Sequence, residues 1–202
     1  MTDEKHNKPL IIGLTGSIAM GKSTVAAMFE AEGVPVFDAD AAVHILQGPG
    51  GDLLPEIEEL FPNTTNENGV DRPALGAAVF GKPDELKKLE AIIHPAVGQM
   101  RQRFLAEHAA EPFIVFDIPL LFEKGGAEHV DHIVVVSAPD ENQRARALSR
   151  PNMTAEKFDA ILALQLPDME KRNRADTVID TGVDLETTRA AVQQLIRNLK
   201  AN

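Results

Sequence analysis

A short apolar run that enters a glycine-containing loop constrains the fold of this chain more than any other segment. Residues 10–14 are apolar enough to form a buried strand, and residues 16–23 then follow the pattern Gly-x-x-x-x-Gly-Lys-Ser. Residues 25–29 carry apolar side chains at helical spacing, and a second apolar run follows at 34–37. Strand, loop, helix and strand form a parallel crossover unit. The sequence therefore predicts an α/β protein with a Walker A phosphate-binding loop.

Each part of this loop suits one feature of a nucleoside triphosphate. The glycines Gly16 and Gly21 allow backbone N–H groups to turn around a β-phosphate, and the helix N-terminus adds positive potential. Lys22 can reach the β and γ oxygens, and the Ser23 hydroxyl can ligate Mg²⁺. GTPases, motor ATPases and small-molecule kinases share such a loop. The chain has no Asn-Lys-x-Asp tetrapeptide and no basic surface, which favours a small kinase.

Composition excludes several other classes. The 202 residues carry a formal net charge of −11, so no nucleic-acid partner is expected. Cys, Trp and Tyr are absent, which excludes thiolate sites and suits a reducing compartment. The first nine residues lack the apolar stretch of a signal peptide, and no run approaches the roughly 20 residues needed to cross a bilayer. We therefore expect a cytoplasmic enzyme with no membrane association and no obligate protein partner.

The remaining apolar runs predict a parallel sheet of five strands flanked by helices. Further strands are expected at 113–117, 132–136 and 177–179, and an amphipathic helix near the C-terminus. About 70 residues between the second and third strands show no convincing strand and have helical patterning that resumes after His94-Pro95. We expect one domain over residues 1–202. Its parts are a nucleotide-binding core (8–46 and 111–200), an inserted helical lobe (47–110) and a small lid (146–166).

Acidic residues follow two of the predicted strands, at the sheet edge where α/β proteins bind ligands. Asp38 and Asp40 follow the second strand, and Asp117 ends the third. Phosphoryl transfer to an alcohol needs a carboxylate that orients the hydroxyl and accepts its proton, and Asp40 is the candidate base. Asp38 could instead cap the following helix. Asp117 is the expected partner of Mg²⁺, directly or through water.

Cationic and apolar residues supply further candidates. Arg144, Arg146 and Arg150 follow the fourth strand on a predicted helix, where Arg146 and Arg150 share a face that could close over phosphate or could simply be solvated. His94 could contact an acceptor phosphate or cap a helix. Residues 119–121 could line an acceptor channel or belong to the core. The histidines show no metal-ligand spacing.

Six ordered blocks of sequence resemble the dephospho-coenzyme A kinase family, which has a P-loop NTPase fold related to the nucleoside monophosphate kinases. The blocks lie at 14–24, 36–40, 68–80, 89–95, 119–123 and 165–180. The resemblance implies transfer of the ATP γ-phosphoryl group to the ribose 3′-hydroxyl of dephospho-CoA with Mg²⁺, the last step of CoA synthesis, in the cytoplasm. It implies that Asp40, Lys22 and Arg146 are catalytic and that the inserted lobe accepts the CoA moiety. The implied ATP-binding residues are Gly16, Ala19, Met20, Gly21, Lys22, Ser23, Thr24, Arg146 and Arg150. The candidate acceptor-binding residues are Asp40, His94, Pro119, Leu120 and Glu123.

Two positions depart from the family pattern. His44 stands where the family often has Arg, and Thr181 stands where it often has Asn. The first affects an acceptor-side phosphate contact and the second a nucleotide-side contact. Two alternatives stay open from the residues alone: a kinase of the shikimate or gluconate type, and a nucleotide-sensing protein that transfers nothing. The intact Lys22, Ser23 and Asp40 argue against the sensor.

Overall fold

A five-stranded sheet organises the larger of the two units into which the chain divides. The computed structural model describes residues 8–201, and this unit comprises residues 8–37 and 108–201 of them. The strand order is β2-β5-β1-β6-β7, and β1 pairs in parallel with β5 and β6. The strands are β1 (Leu10–Thr15), β2 (Val36–Asp38), β5 (Phe113–Asp117), β6 (His132–Ser137) and β7 (Thr177–Asp180). The predicted parallel sheet is confirmed, although β2 begins two residues later than predicted.

Helices cover this sheet and bury an aliphatic core. Ile12 and Leu14 of β1 and Val134 of β6 are fully buried and pack with residues of the first and last helices. This pattern explains why the strands read as continuous apolar runs. The helices are α1 (Lys22–Ala31), α6 (Asp140–Leu148), α7 (Ala155–Ala163), α8 (Asp168–Asn173) and α9 (Leu185–Ala201), with a 3₁₀ turn at Gly126–His129.

The second unit spans residues 38–107 and is mainly helical. Its core contains Leu46, Ile57, Phe61 and Leu89. Its elements are α2 (Ala39–Gln47), α3 (Leu54–Leu60), the strands β3 (Thr65–Asn66) and β4 (Gly69–Val70), α4 (Arg72–Val79) and α5 (Pro83–Glu107). The sequence analysis placed the start of the inserted lobe at residue 47, whereas the second unit of the structure starts at residue 38. The start is earlier because α2 belongs to this unit, with Leu46 packed into its core.

Two details of this unit differ from the sequence-based expectation. A short antiparallel hairpin pairs Thr65 with Val70, in the segment where no strand was predicted. The helix α5 continues through Pro95 for 25 residues, so the interpretation of His94-Pro95 as a helix cap is wrong. An internal proline removes one backbone hydrogen bond and costs about 3 kcal/mol. Packing of Leu89, Ile93 and Val97 on the unit's core offsets that cost.

Candidate active site

The phosphate-binding loop lies between the carboxyl end of β1 and the first turn of α1. Ala19 and Gly21 adopt left-handed backbone conformations, with φ of 62° and 89°, which turn the chain tightly. A Cβ atom on Gly16 would lie 2.8 Å from the carbonyl oxygen of Val136 in β6, so only glycine fits there. The first turn of α1 carries no acidic side chain. No acidic side chain of this turn therefore cancels the positive potential of its N–H groups and helix dipole, and that potential favours anion binding.

Three side chains from distant parts of the chain hold the loop backbone. The Ile18 N–H donates to Gln165 Oε1 at 2.9 Å, and Gln143 Nε2 donates to the Ile18 carbonyl at 2.8 Å. Thr181 Oγ1 donates to the Met20 carbonyl at 2.6 Å. Neither Gln143 nor Gln165 was predicted as a site residue. Gln165 begins the 165–180 block that resembles the family, whereas nothing near Gln143 indicates a contact this distant in sequence. Thr181 did carry a signal, since it directly follows β7 at the same edge of the sheet.

Lys22 and Asp117 meet at the carboxyl ends of neighbouring strands. Asp117 ends β5, in register with Leu14 of β1. Lys22, the first residue of α1, donates from Nζ to Asp117 Oδ1. Asp117 is buried. The structure thus brings together two residues that the sequence analysis placed at this edge.

The three arginines after β6 differ in their contacts and in their positions relative to α6. Arg146 donates from Nη2 to the Thr181 carbonyl at 2.6 Å, and from Nη1 to Thr181 Oγ1 at 3.2 Å. Arg144 pairs with Asp159 of α7 at 2.8 Å. Arg150 lies beyond the end of α6, so the prediction that it shares a helix face with Arg146 is wrong. Ser149 Oγ donates to the Arg146 carbonyl, and Pro151 disfavours a helical conformation at the residue before it.

The loop after β5 mixes half-buried and core residues. Pro119 and Leu120 are half-buried, whereas Leu121 is fully buried. The Pro119 carbonyl accepts from Thr15 Oγ1 at 3.3 Å. Glu123 Oε1 lies 2.8 Å from Lys171 Nζ and accepts the Leu166 N–H. Glu123 therefore joins this loop to the segment that enters α8.

The second unit holds the remaining acidic candidates. Asp38 caps α2 by accepting the N–H groups of Asp40 and Ala41, which confirms its capping interpretation. Asp40 is exposed in the first turn of α2, and the His44 ring Nδ1 lies 2.6 Å from the Asp40 carbonyl. A carbonyl only accepts, so Nδ1 carries the proton and Nε2 is left for another contact. Asp40, His44 and Arg72 line a cavity of about 380 Å³ with an apolar wall that includes Val43 and Leu75. His94 is exposed on α5.

Residues 8–201 show neither a ready-made metal cluster nor a helix suited to a membrane. This part of the chain contains no group of three or more His, Asp or Glu side chains placed to hold a metal ion. Mg²⁺ in phosphoryl-transfer sites needs no such group, because it is held by one or two protein oxygens together with phosphates and waters. The Ser23 hydroxyl and the Asp117 carboxylate fit that donor set. Within the same residues, none of the helices combines the length and apolarity that a bilayer span requires.

The strand order, the loop after the central strand and the Lys22–Asp117 pair define a P-loop kinase. The fold is shared with shikimate kinase from Acinetobacter baumannii, with a TM-score of 0.55, 17% identity and coverage of 97% and 96% of the two chains. The chain belongs to the dephospho-CoA kinase family, whose model matches residues 10–186. A dephospho-CoA kinase from Novosphingobium aromaticivorans is 61% identical over 193 residues, 96% of each chain. The crystal structure of TT1252 from Thermus thermophilus matches with a TM-score of 0.80 and 36% identity, covering 95% and 98% of the chains. The resemblance noted from the sequence blocks and the kinase class are both confirmed.

Proposed function

We propose that this chain transfers the γ-phosphoryl group of ATP to the ribose 3′-hydroxyl of dephospho-CoA, giving CoA and ADP, the last step of CoA biosynthesis. One observation carries the proposal: an intact Lys22–Asp117 pair beside a phosphate loop, in a chain 61% identical to a dephospho-CoA kinase over nearly its whole length. The absence of cysteine in the sequence suits the cytoplasm as its compartment.

The phosphates of ATP are assigned to the loop and the start of α1. The residues are Gly16, Ala19, Met20, Gly21, Lys22, Ser23 and Thr24, with Arg146 and Arg150 on the lid side. Lys22 has three N–H donors, so it can contact the β and γ oxygens and still donate to Asp117. Ser23 and Asp117 would hold Mg²⁺, which when bound neutralises charge on the β- and γ-phosphate oxygens. Arg146 would place its guanidinium against the transferring group.

The acceptor is assigned to residues 38–107, with the lid at 146–166. Asp40 orients the 3′-hydroxyl and takes its proton as the oxygen bonds to the γ-phosphorus. The bond to the β–γ bridging oxygen breaks, and its electron pair leaves with ADP. The cavity beside Asp40 supports this assignment, because Arg72 can donate to acceptor phosphates and the apolar wall suits an uncharged portion. His94, Pro119, Leu120 and Glu123 stay predicted acceptor contacts, with one Glu123 oxygen already engaged by Lys171.

The experiment is ADP release from ATP and Mg²⁺ by the purified chain with different acceptors. Dephospho-CoA is compared with shikimate, gluconate, nucleoside monophosphates and no acceptor. We expect ADP and CoA in equal amounts with dephospho-CoA alone. Turnover of another acceptor instead would overturn the substrate while leaving the site chemistry in place. ATP binding without acceptor-dependent ADP release would favour the nucleotide sensor.

A further inference from the structure

Thr181 is the meeting point of the phosphate loop, the sheet and the lid arginine. It directly follows β7 and is 6% exposed. Its hydroxyl lies 2.6 Å from the Met20 carbonyl, 3.2 Å from the Ser137 carbonyl and 3.2 Å from Arg146 Nη1. Its own carbonyl accepts from Arg146 Nη2 at 2.6 Å. One residue therefore contacts both sides of the assigned ATP site.

The direction of these hydrogen bonds fixes the Met20–Gly21 peptide. A hydroxyl has one proton, and the Met20 carbonyl, at 2.6 Å, is the nearer of the two acceptors. A trans peptide is planar, with its C=O and N–H pointing in opposite directions. Holding the Met20 carbonyl on Thr181 therefore directs the Gly21 N–H away from Thr181. A Cβ atom on Gly21 would lie 3.1 Å from Thr181 Oγ1, which shows how closely the two residues pack.

The same residue holds the Arg146 guanidinium. Arg146 uses one N–H of each terminal nitrogen on Thr181. Within residues 8–201 its other three N–H donors have no hydrogen-bond partner and stay available to an anion. A guanidinium held at two points has few orientations left. Less ordering entropy is then lost when it contacts phosphate.

We propose that Thr181 is a positioning residue that couples Arg146 to the phosphate loop. Its contacts orient the Gly21 N–H and the Arg146 guanidinium at the same time, so that both can bind the same nucleotide. The proposal rests on the assignment of ATP to this loop. Its working part is the hydroxyl, which is hydrogen-bonded to both Met20 and Arg146.

The test replaces Thr181 with Val, which keeps the shape and removes the hydroxyl. Thr188→Val is the matched control, because Thr188 is also a buried threonine whose hydroxyl donates to backbone carbonyls, those of Asp180 and Asp184. We expect Thr181→Val to raise the KM for ATP about tenfold or to lower kcat by the same factor, with the KM for dephospho-CoA unchanged. Thr188→Val should lower the melting temperature comparably without either kinetic change. Thr181→Ser should restore the wild-type constants.

A double-mutant cycle with Arg146→Met tests the coupling itself. If Arg146 works through Thr181, Thr181→Val should cost much less in kcat/KM for ATP when Arg146 is already replaced. Additive losses would overturn the coupling, as would Thr181→Val kinetics that match those of Thr188→Val. ATP affinity measured calorimetrically without acceptor keeps this test separate from the proposed function. A wild-type chain that binds ATP and fails to phosphorylate dephospho-CoA would contradict the function. A Thr181→Val variant that keeps both the wild-type ATP affinity and the wild-type kcat would contradict the coupling.

Discussion

Lys171 Nζ lies 2.8 Å from Glu123 Oε1, and the Lys171 side chain is 0% exposed. Burial disfavours the charged form of Glu123. The adjacent Lys171 ammonium and the hydrogen bond from the Leu166 N–H outweigh that effect and lower the pKa of Glu123 from 4.5. The loop that follows Asp117 is thereby fixed to α8.

Removal of the carboxylate charge should therefore be costly. Glu123→Gln leaves the Lys171 ammonium buried without a counter-charge, and we expect the free energy of unfolding to fall by about 3 kcal/mol at neutral pH. Glu85→Gln breaks the exposed Glu85–Lys88 pair, which has a similar length of 2.9 Å, and should cost under about 1 kcal/mol. Urea unfolding measures both. Equal losses in the free energy of unfolding would show that burial does not make the Glu123–Lys171 pair more important for stability than an exposed pair.

Glu58 should contribute pH-dependent stability to the helical unit. Its carboxylate accepts the N–H groups of Asn63 and Thr65 and the Thr65 hydroxyl, and these bonds lower its pKa from 4.5. A lowered folded-state pKa gives stability that is present above 4.5 and is lost as the pH falls through the folded value. The melting-temperature difference between wild type and Glu58→Gln should therefore be constant near neutrality and shrink below pH 4.5. A difference for Glu58→Gln that stays constant through pH 4.5 would contradict this prediction.

Asp40→Asn should separate binding from chemistry. The amide cannot accept the proton of the acceptor hydroxyl, so we expect kcat to fall by about 10²-fold or more while ATP affinity stays unchanged. Asp38→Asn is the matched control, because asparagine caps a helix about as well as aspartate and α2 should be retained. Steady-state kinetics and ATP titration decide. Wild-type turnover in Asp40→Asn would remove Asp40 from the mechanism.

Lys22→Ala should impair both nucleotide affinity and turnover, since its charge would contact the phosphates in the ground state and the transition state alike. Lys200→Ala, an exposed lysine of α9 outside the assigned ATP and acceptor sites, provides the comparison and should behave as wild type. The measurements are ATP titration and ADP release. An unchanged rate for Lys22→Ala would contradict the assignment of phosphate to this loop.

Glycine to alanine changes should act in opposite directions at two positions. Gly16→Ala would press a methyl group against the Val136 backbone, and we expect a loss of about 1–3 kcal/mol in stability together with weaker ATP binding. Gly98 lies inside α5 with open space where a Cβ would stand. Gly98→Ala should therefore stabilise the chain by about 0.5–1 kcal/mol through its better helix propensity. Thermal unfolding of the two variants would show a shift of the same sign if packing at Gly16 were unimportant.

Local patterns in the sequence were enough to predict most of the sheet and the centre of the site. The strand at Phe113–Asp117 has the predicted bounds. An uninterrupted apolar run that ends in an aspartate determines both the type of the element and its last residue. The meeting of Lys22 and Asp117 follows from parallel strands that end at one edge. The cap at Asp38 follows from its place before a helix.

Features decided by tertiary contacts were not predictable in the same way. Helix α5 passes through Pro95 because packing on the helical core outweighs the local cost. Arg150 lies outside α6 because Ser149 and Pro151 end the helix before it. The four-residue spacing of Arg146 and Arg150 had indicated a shared helix face instead. Gln143 and Gln165 reach Ile18 across 125 and 147 residues of sequence, and no periodicity records such a contact.

The strand order has a consequence for how the chain acquires its structure during synthesis. The strands β1 and β2 are consecutive in the chain but are not neighbours in the sheet, because β5 lies between them. Neither β1 nor β2 can pair with β5 until residues 113–117 have left the ribosome. At about 5–20 residues per second, the N-terminal strand waits several seconds for it. Over that interval β1 lacks its β5 partner, so we expect the yield of folded enzyme to depend on translation speed across the helical unit.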